Sequence, residues 1–307
     1  MVMRARGVHT DGMPLVSTPT RPAGAPSLPD ALRLGAVHLT VSDLDRSVSY
    51  YQDAIGLRVH HRDDGRAALG AGAEDLLVLV EDPDARRGGR HAGLYHFALL
   101  HASREELARA LKRLAVGRTA VDGAADHGVS EALYLSDPDG NGIELYADRP
   151  REAWPAPDPG ARVGMFTAAL DVQELLHVVA DEDVHARAGE GLVVGHVHLH
   201  VSDLAAARAF YVDRVGFEPM AGMRSAMFVS AGGYHHHLGF NTWRGQGVPP
   251  APERAVGLRH WTVVLDDPAA LEDVRARLEG AGAAPEPVRG GLQVRDPAGN
   301  AVTFTGG

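Results

Sequence analysis

A glutamate and several histidines set in strand-like sequence are where this chain could do chemistry. His96 lies in LYHFALL, and His196, His198 and His200 alternate through HVHLHV. Glu144 interrupts the apolar stretch GIELY, and YHHHLGF (234–240) places three imidazoles in a row. The chain has no cysteine, so a bound metal would be held by His, Asp or Glu. An ionised carboxylate inside an apolar strand is costly unless it is paired or metal-bound, which makes Glu144 the most informative residue. The plainer alternative is an exposed position on an edge strand. Neutral imidazoles can also move protons near pH 7.

The elements that position these residues are duplicated. LGAVHLTVSDLDRSVSYYQDAIGL (34–57) matches VGHVHLHVSDLAAARAFYVDRVGF (194–217) at an offset of 160 residues. YLSDPDGNGIELY (134–146) matches QVRDPAGNAVTFT (293–305) at an offset of 159. Each half splits again into a strand, a helix and about three strands, with module cores near 34–85, 92–148, 193–243 and 256–306. Ser42 or Asp43 caps the first helix and Gly56 stops it, while Ser103 with Glu106 forms a capping box for the second. DPDGNG has the composition of a hairpin turn. Asp43 and Asp203 read as helix caps. Residues 1–30 read as a mobile tail, and 149–192 as a Pro-rich connector with a short helix.

HLTVSDLDRSVSYYQDAIGL and SDPDGNGIELY together resemble the vicinal oxygen chelate superfamily of βαβββ modules. GLYHFALL, VSEALYLSDPDGNGIELYADRP, GHVHLHVSDL and GGYHHHLGFNTW are similar to its two-domain type I extradiol dioxygenases, the catechol 2,3-dioxygenase group. The resemblance implies an α+β fold of four βαβββ modules in two tandem domains, 31–148 and 193–307. Their curved mixed sheets would surround a metal cleft. It also implies a two-histidine, one-carboxylate site for Fe(II), with Mn(II) as the alternative ion.

Within that pattern His96 and Glu144 come from one module, and the third ligand from the first strand of the paired module. Pairing in chain order gives His38. Pairing across the halves gives His198, the expected ligand, because only that cleft also receives a second set of residues. These are His236 as acid–base, Tyr134 ten residues before Glu144 as substrate contact, and His127 as a loop histidine. Thr303 and Gln293 replace Glu144 and Tyr134 in the last module, so one site per chain is expected, with His38 and His260 in a decayed one. Strand alternation turns Tyr95 away from His96 and puts His235 and His237 opposite His236. His196 and His200 read as cleft-lining residues, His235 and His237 as surface or packing residues, and Phe240 and Trp243 as packing aromatics. His60, His61, His91 and His101 carry no assigned role.

The net charge of −10 and the lack of a basic run argue against a nucleic-acid partner. No apolar run approaches the ~20 residues that span a bilayer, and no signal-peptide core is seen, so a cytoplasmic protein is expected. The expected partners are an aromatic diol and O₂, in aromatic catabolism, with homo-oligomerisation left open. The alternatives are a glyoxalase-like isomerase or thiol transferase, and a metal-free binding protein.

Overall fold

The computed structural model describes residues 27–306. Residues 1–26, most of the expected tail, lie outside that range. Ser27–Asp30 are described, and Leu28 is buried with its amide donating to the Gly216 carbonyl.

The first module comprises β1 (Arg33–Leu34), β2 (Val37–Val41), α1 (Leu44–Tyr50), β3 (Arg58–Asp63), β4 (Arg66–Gly70) and β5 (Asp75–Glu81). The second has β6 (Gly93–His101), α2 (Arg104–Val116), β7 (Gly123–Asp126), β8 (Ser130–Ser136) and β9 (Gly142–Asp148). The connector contributes β10 (Ala168–Ala169) and the short helix α3 (Val172–His177). The third module contains β11 (Val193–His200), α4 (Leu204–Arg208), β12 (Glu218–Met223), β13 (Ala226–Ser230) and β14 (Leu238–Asn241). The fourth is β15 (Gly257–Leu265), α5 (Pro268–Gly280), β16 (Glu286–Val288), β17 (Gly291–Arg295) and β18 (Ala301–Gly306).

Helix boundaries follow local chemistry. The Asp43 and Asp203 carboxylates accept the Arg46 and Ala206 amides as N-caps, and Ser103 accepts from the Glu106 amide. Both α1 and α4 widen into a π-helical turn that ends at a left-handed glycine, Gly56 (φ 85°) and Gly216 (φ 107°).

Two mixed sheets result, and each draws on both halves of the sequence. One runs β16-β17-β18-β15-β2-β5-β4-β3 and joins modules one and four, with β1 added on β15. The other runs β10-β7-β8-β9-β6-β11-β14-β13-β12 and joins modules two and three. At the centre of each sheet two first strands pair antiparallel, β2 with β15 and β6 with β11. The last strand of each module lies parallel to its first.

The sheets are tied by bonds between sequence-adjacent modules, made twice at equivalent places. Tyr51 Oη donates to the buried Asp137 carboxylate of the turn before β9, and Tyr211 Oη donates to Asp296 before β18. Each acid also accepts backbone amides of its own turn. Arg113 of α2 caps the Ala54 and Ile55 carbonyls, and Arg277 of α5 caps Arg214 and Val215. The apolar faces left between sheets and helices form one large core in which Leu39, Tyr51, Phe97, Phe217, Trp261 and Phe304 are fully buried.

Candidate metal centre

The cleft of the second sheet is built on Ala98. It pairs with Glu144 of β9 on one side and with His196 of β11 on the other. A one-carbon side chain between two long ones lets the carboxylate and the imidazole meet above it. His96, two residues earlier on β6, joins them from the same face. His96 Nε2 and Glu144 Oε2 are 3.0 Å apart, His196 Nε2 and Glu144 Oε2 3.2 Å, and the two imidazole nitrogens 3.2 Å. Donor atoms held at about 2.1 Å and right angles around a cation lie about 3.0 Å apart, so the three side chains fit a facial set of metal ligands.

The protonation states suit that role. Burial alone would raise the Glu144 carboxyl, but His196 and His96 outweigh it and hold it well below the usual range. Burial lowers His196 to about 4 in spite of Glu144. An ionised carboxylate beside a neutral imidazole is the form that binds a divalent cation.

The structure brings together two of the three expected ligands, His96 and Glu144, and sets His196 beside them rather than His198. His198 lies one row further along, opposite His96, and leans the other way over Gly239, where an added Cβ would come within 3.0 Å of its ring. Its Nε2 accepts from Asn241 Nδ2 at 2.9 Å. That amide is oriented by the Trp243 N–H and His200 Nδ1–H, which both donate to its oxygen. The lone pair a metal would need from His198 is therefore already used.

His236 packs against His196 with ring centroids 4.1 Å apart. Residues 234–237 precede β14 rather than belonging to it, so simple alternation does not govern them. His235, expected at the surface or in packing, is fully buried and sits between Asp148 and His236. Its Nε2 is 2.9 Å from Asp148 Oδ1, and its Nδ1 is 2.7 Å from His236 Nδ1. A carboxylate only accepts, so His235 Nε2–H donates and its Nδ1 accepts from His236 Nδ1–H. His236 is thereby held with its lone pair on Nε2. Burial keeps this imidazole well below its ordinary basicity. The sequence signal for the relay is the doubled histidine with an acid at the end of GIELYAD.

Tyr134 stands directly across the strand pair from Glu144, with its ring 5.8 Å from His96. His127 Nδ1 faces the Phe166 carbonyl at 3.0 Å and must donate there, so its Nε2 accepts the Tyr134 hydroxyl at 2.7 Å. Tyr95 departs from the expected alternation. Between His198–His96 and Leu199–Leu94 the pairing skips it, and this bulge swings its ring to the cleft side. There it lies 4.9 Å from His96, 5.1 Å from His198 and 5.2 Å from Trp243.

Comparison with known proteins agrees with this architecture. Residues 33–145 and 193–304 match the Glyoxalase/Bleomycin resistance protein/Dioxygenase superfamily. The chain belongs to this superfamily. A Bacillus subtilis (strain 168) protein named catechol-2,3-dioxygenase is 46% identical over 285 residues, covering 91% of this chain and 99% of that one. Among solved structures, a putative dioxygenase from Bacillus subtilis aligns with a TM-score of 0.60 at 13% identity, covering 91% and 86% of the two chains. Glyoxalase I from Zea mays aligns with a TM-score of 0.55 at 17% identity, covering 90% and 92%. At these identities the two structures share the superfamily fold. Among the described residues no helix is long and apolar enough to cross a membrane.

Proposed function

We propose that the protein is an Fe(II)-dependent extradiol dioxygenase that opens catechol or a substituted catechol to a 2-hydroxymuconic semialdehyde. The observation that carries this reading is the cluster of His96, His196 and Glu144, the donor set of non-haem Fe(II) oxygenases. The 46%-identical relative that bears the name of this reaction supports it. Fe(II) held by these three residues would supply Lewis acidity and open positions for the diol and O₂.

The remaining steps rest on the chain's own side chains. His236 Nε2 is the base for a catechol hydroxyl proton, which it returns as the ring opens. Asp148 and His235 fix the tautomer that keeps this nitrogen free. The Tyr134 hydroxyl donates its hydrogen bond to His127 Nε2, so its oxygen accepts one from a substrate hydroxyl and orients it. Tyr95, Trp243 and Phe228 wall the space beside the histidines with aromatic surface suited to a planar ring.

The test is O₂ uptake with catechol after anaerobic loading with Fe(II), followed together with the visible absorbance. Stoichiometric uptake with a yellow product is the expected result. No uptake with several catechols by metal-loaded protein would overturn the proposal in favour of isomerase or transferase chemistry.

A further inference from the structure

The first sheet has a cleft of its own, equivalent residue by residue to the metal centre but rebuilt with different chemistry. His38 and His260 face each other across β2 and β15, as His198 and His96 do across β11 and β6. Their rings stack with centroids 3.9 Å apart and planes 24° apart. Neither ring makes a hydrogen bond among the described residues, and both are only half-buried.

Of the three groups that would hold a cation in the other cleft, only His96 keeps a counterpart, His260. Ala36 stands in the place of His196, Thr303 in that of Glu144, and Gln293 in that of Tyr134. Gln293 Nε2 donates to Thr303 Oγ1, at the positions where the other cleft sets a phenol opposite a carboxylate. The bulge recurs, because the pairing of β15 with β2 skips Arg259 as that of β6 with β11 skips Tyr95. A guanidinium thus enters where the metal cleft has a phenol ring, and it donates to Thr40 Oγ1. Arg66 of β4 lies on the same face, two strands from Thr40 through Val80, where the other sheet has Ala226. Neither arginine has a carboxylate partner among the described residues. Both act on His38, which burial, His260 and the two guanidiniums lower to about 3.

We infer that this second cleft is a binding site for a small aromatic carboxylate of the benzoate class. Arg66 and Arg259 take the carboxylate, and the stacked imidazoles with Val78 and Val80 receive the ring. The site lacks the carboxylate and the second histidine of the ligand set and lies in a different sheet from the proposed reaction centre, so it binds without turning over.

The test uses the full-length metal-loaded protein and benzoate as the probe, with binding followed by calorimetry and by the ring signals of His38 and His260 in NMR. One benzoate per chain is expected to bind and to shift these two histidines whether or not catechol is present. The exchange of Arg66→Ala with Arg259→Ala should weaken it at least about 10-fold, with kcat and KM for catechol unchanged. An affinity untouched by the double exchange, full displacement by catechol, or no shift of the His38 and His260 signals would each overturn the assignment. The binding readout does not depend on dioxygenase activity, so it stands or falls apart from the proposed reaction.

Discussion

At the residue scale, two histidines of the same strand face do different work. His196 reaches over Ala98 to Glu144, whereas His198 is committed to Asn241. His196→Ala is therefore expected to lower Fe(II) affinity by more than about 100-fold. His198→Ala, which removes only a ring packed against His96, should lower it by about 10-fold, the low end for a residue that supports a ligand; competition with a fluorescent chelator measures both. His236→Ala should retain the metal and slow turnover by about 10²–10⁴-fold, the usual worth of a general acid–base group. Metal content together with kcat decides this, and unchanged turnover would remove His236 from the mechanism. The choice of face was legible in the sequence, because alternation puts His196, His198 and His200 on one side. The choice of row was marked as well, because His96 lies seven residues before the cap Ser103 and His196 seven before the cap Asp203, and the expectation of His198 passed over that spacing. The lean of the His198 ring over Gly239 leaves no mark in local sequence.

At the element scale, caps, turns and the repeated module were readable because each rests on local chemistry within a few residues. The bulges were not, since skipping one residue in a pairing requires the partner strand. They matter to the site. Where β11 pairs with β6, the skip at Gly195 makes room for Tyr146, whose hydroxyl bonds that of Tyr234. A Cβ on Gly195 would fall 1.8 Å from Tyr146 Oη. That phenol is fully buried and cannot swing aside. Gly195→Ala should therefore cost about 1–3 kcal/mol as an overpacking change, read as a lowered midpoint in denaturant. Because Gly195 adjoins His196, metal affinity should fall as well.

For the whole molecule, the sequence repeat identified the modules, and the distribution of chemical groups favoured pairing across the halves, as the two sheets have it. Acid sensitivity is a property at this scale. His101, at the end of β6, is buried with Nε2 unpartnered, and burial followed by the nearby Arg113 lowers it from 6.5 to about 3. The unfolded chain takes up this proton first, so stability is full above pH 6.5 and declines as pH falls toward 3. Between pH 7 and 4.5 the group accounts for a loss of about 2 kcal/mol. His101→Leu should remove that part of the decline, as measured by urea unfolding at the two pH values.

The crossed pairing also bears on how the chain is made. The neighbours that cover β2 and β6 are β15 and β11, so both first strands wait for partners encoded in the second half. At about 5–20 residues per second, some 220 residues of synthesis separate His38 from His260, a delay of about 10–40 s. During that time the nascent first half carries open, apolar strand edges able to pair with other chains. Contacts so distant in sequence also make folding slow. A chain ending prematurely at the connector would keep those edges for good, which makes chaperone capture or aggregation its expected fate.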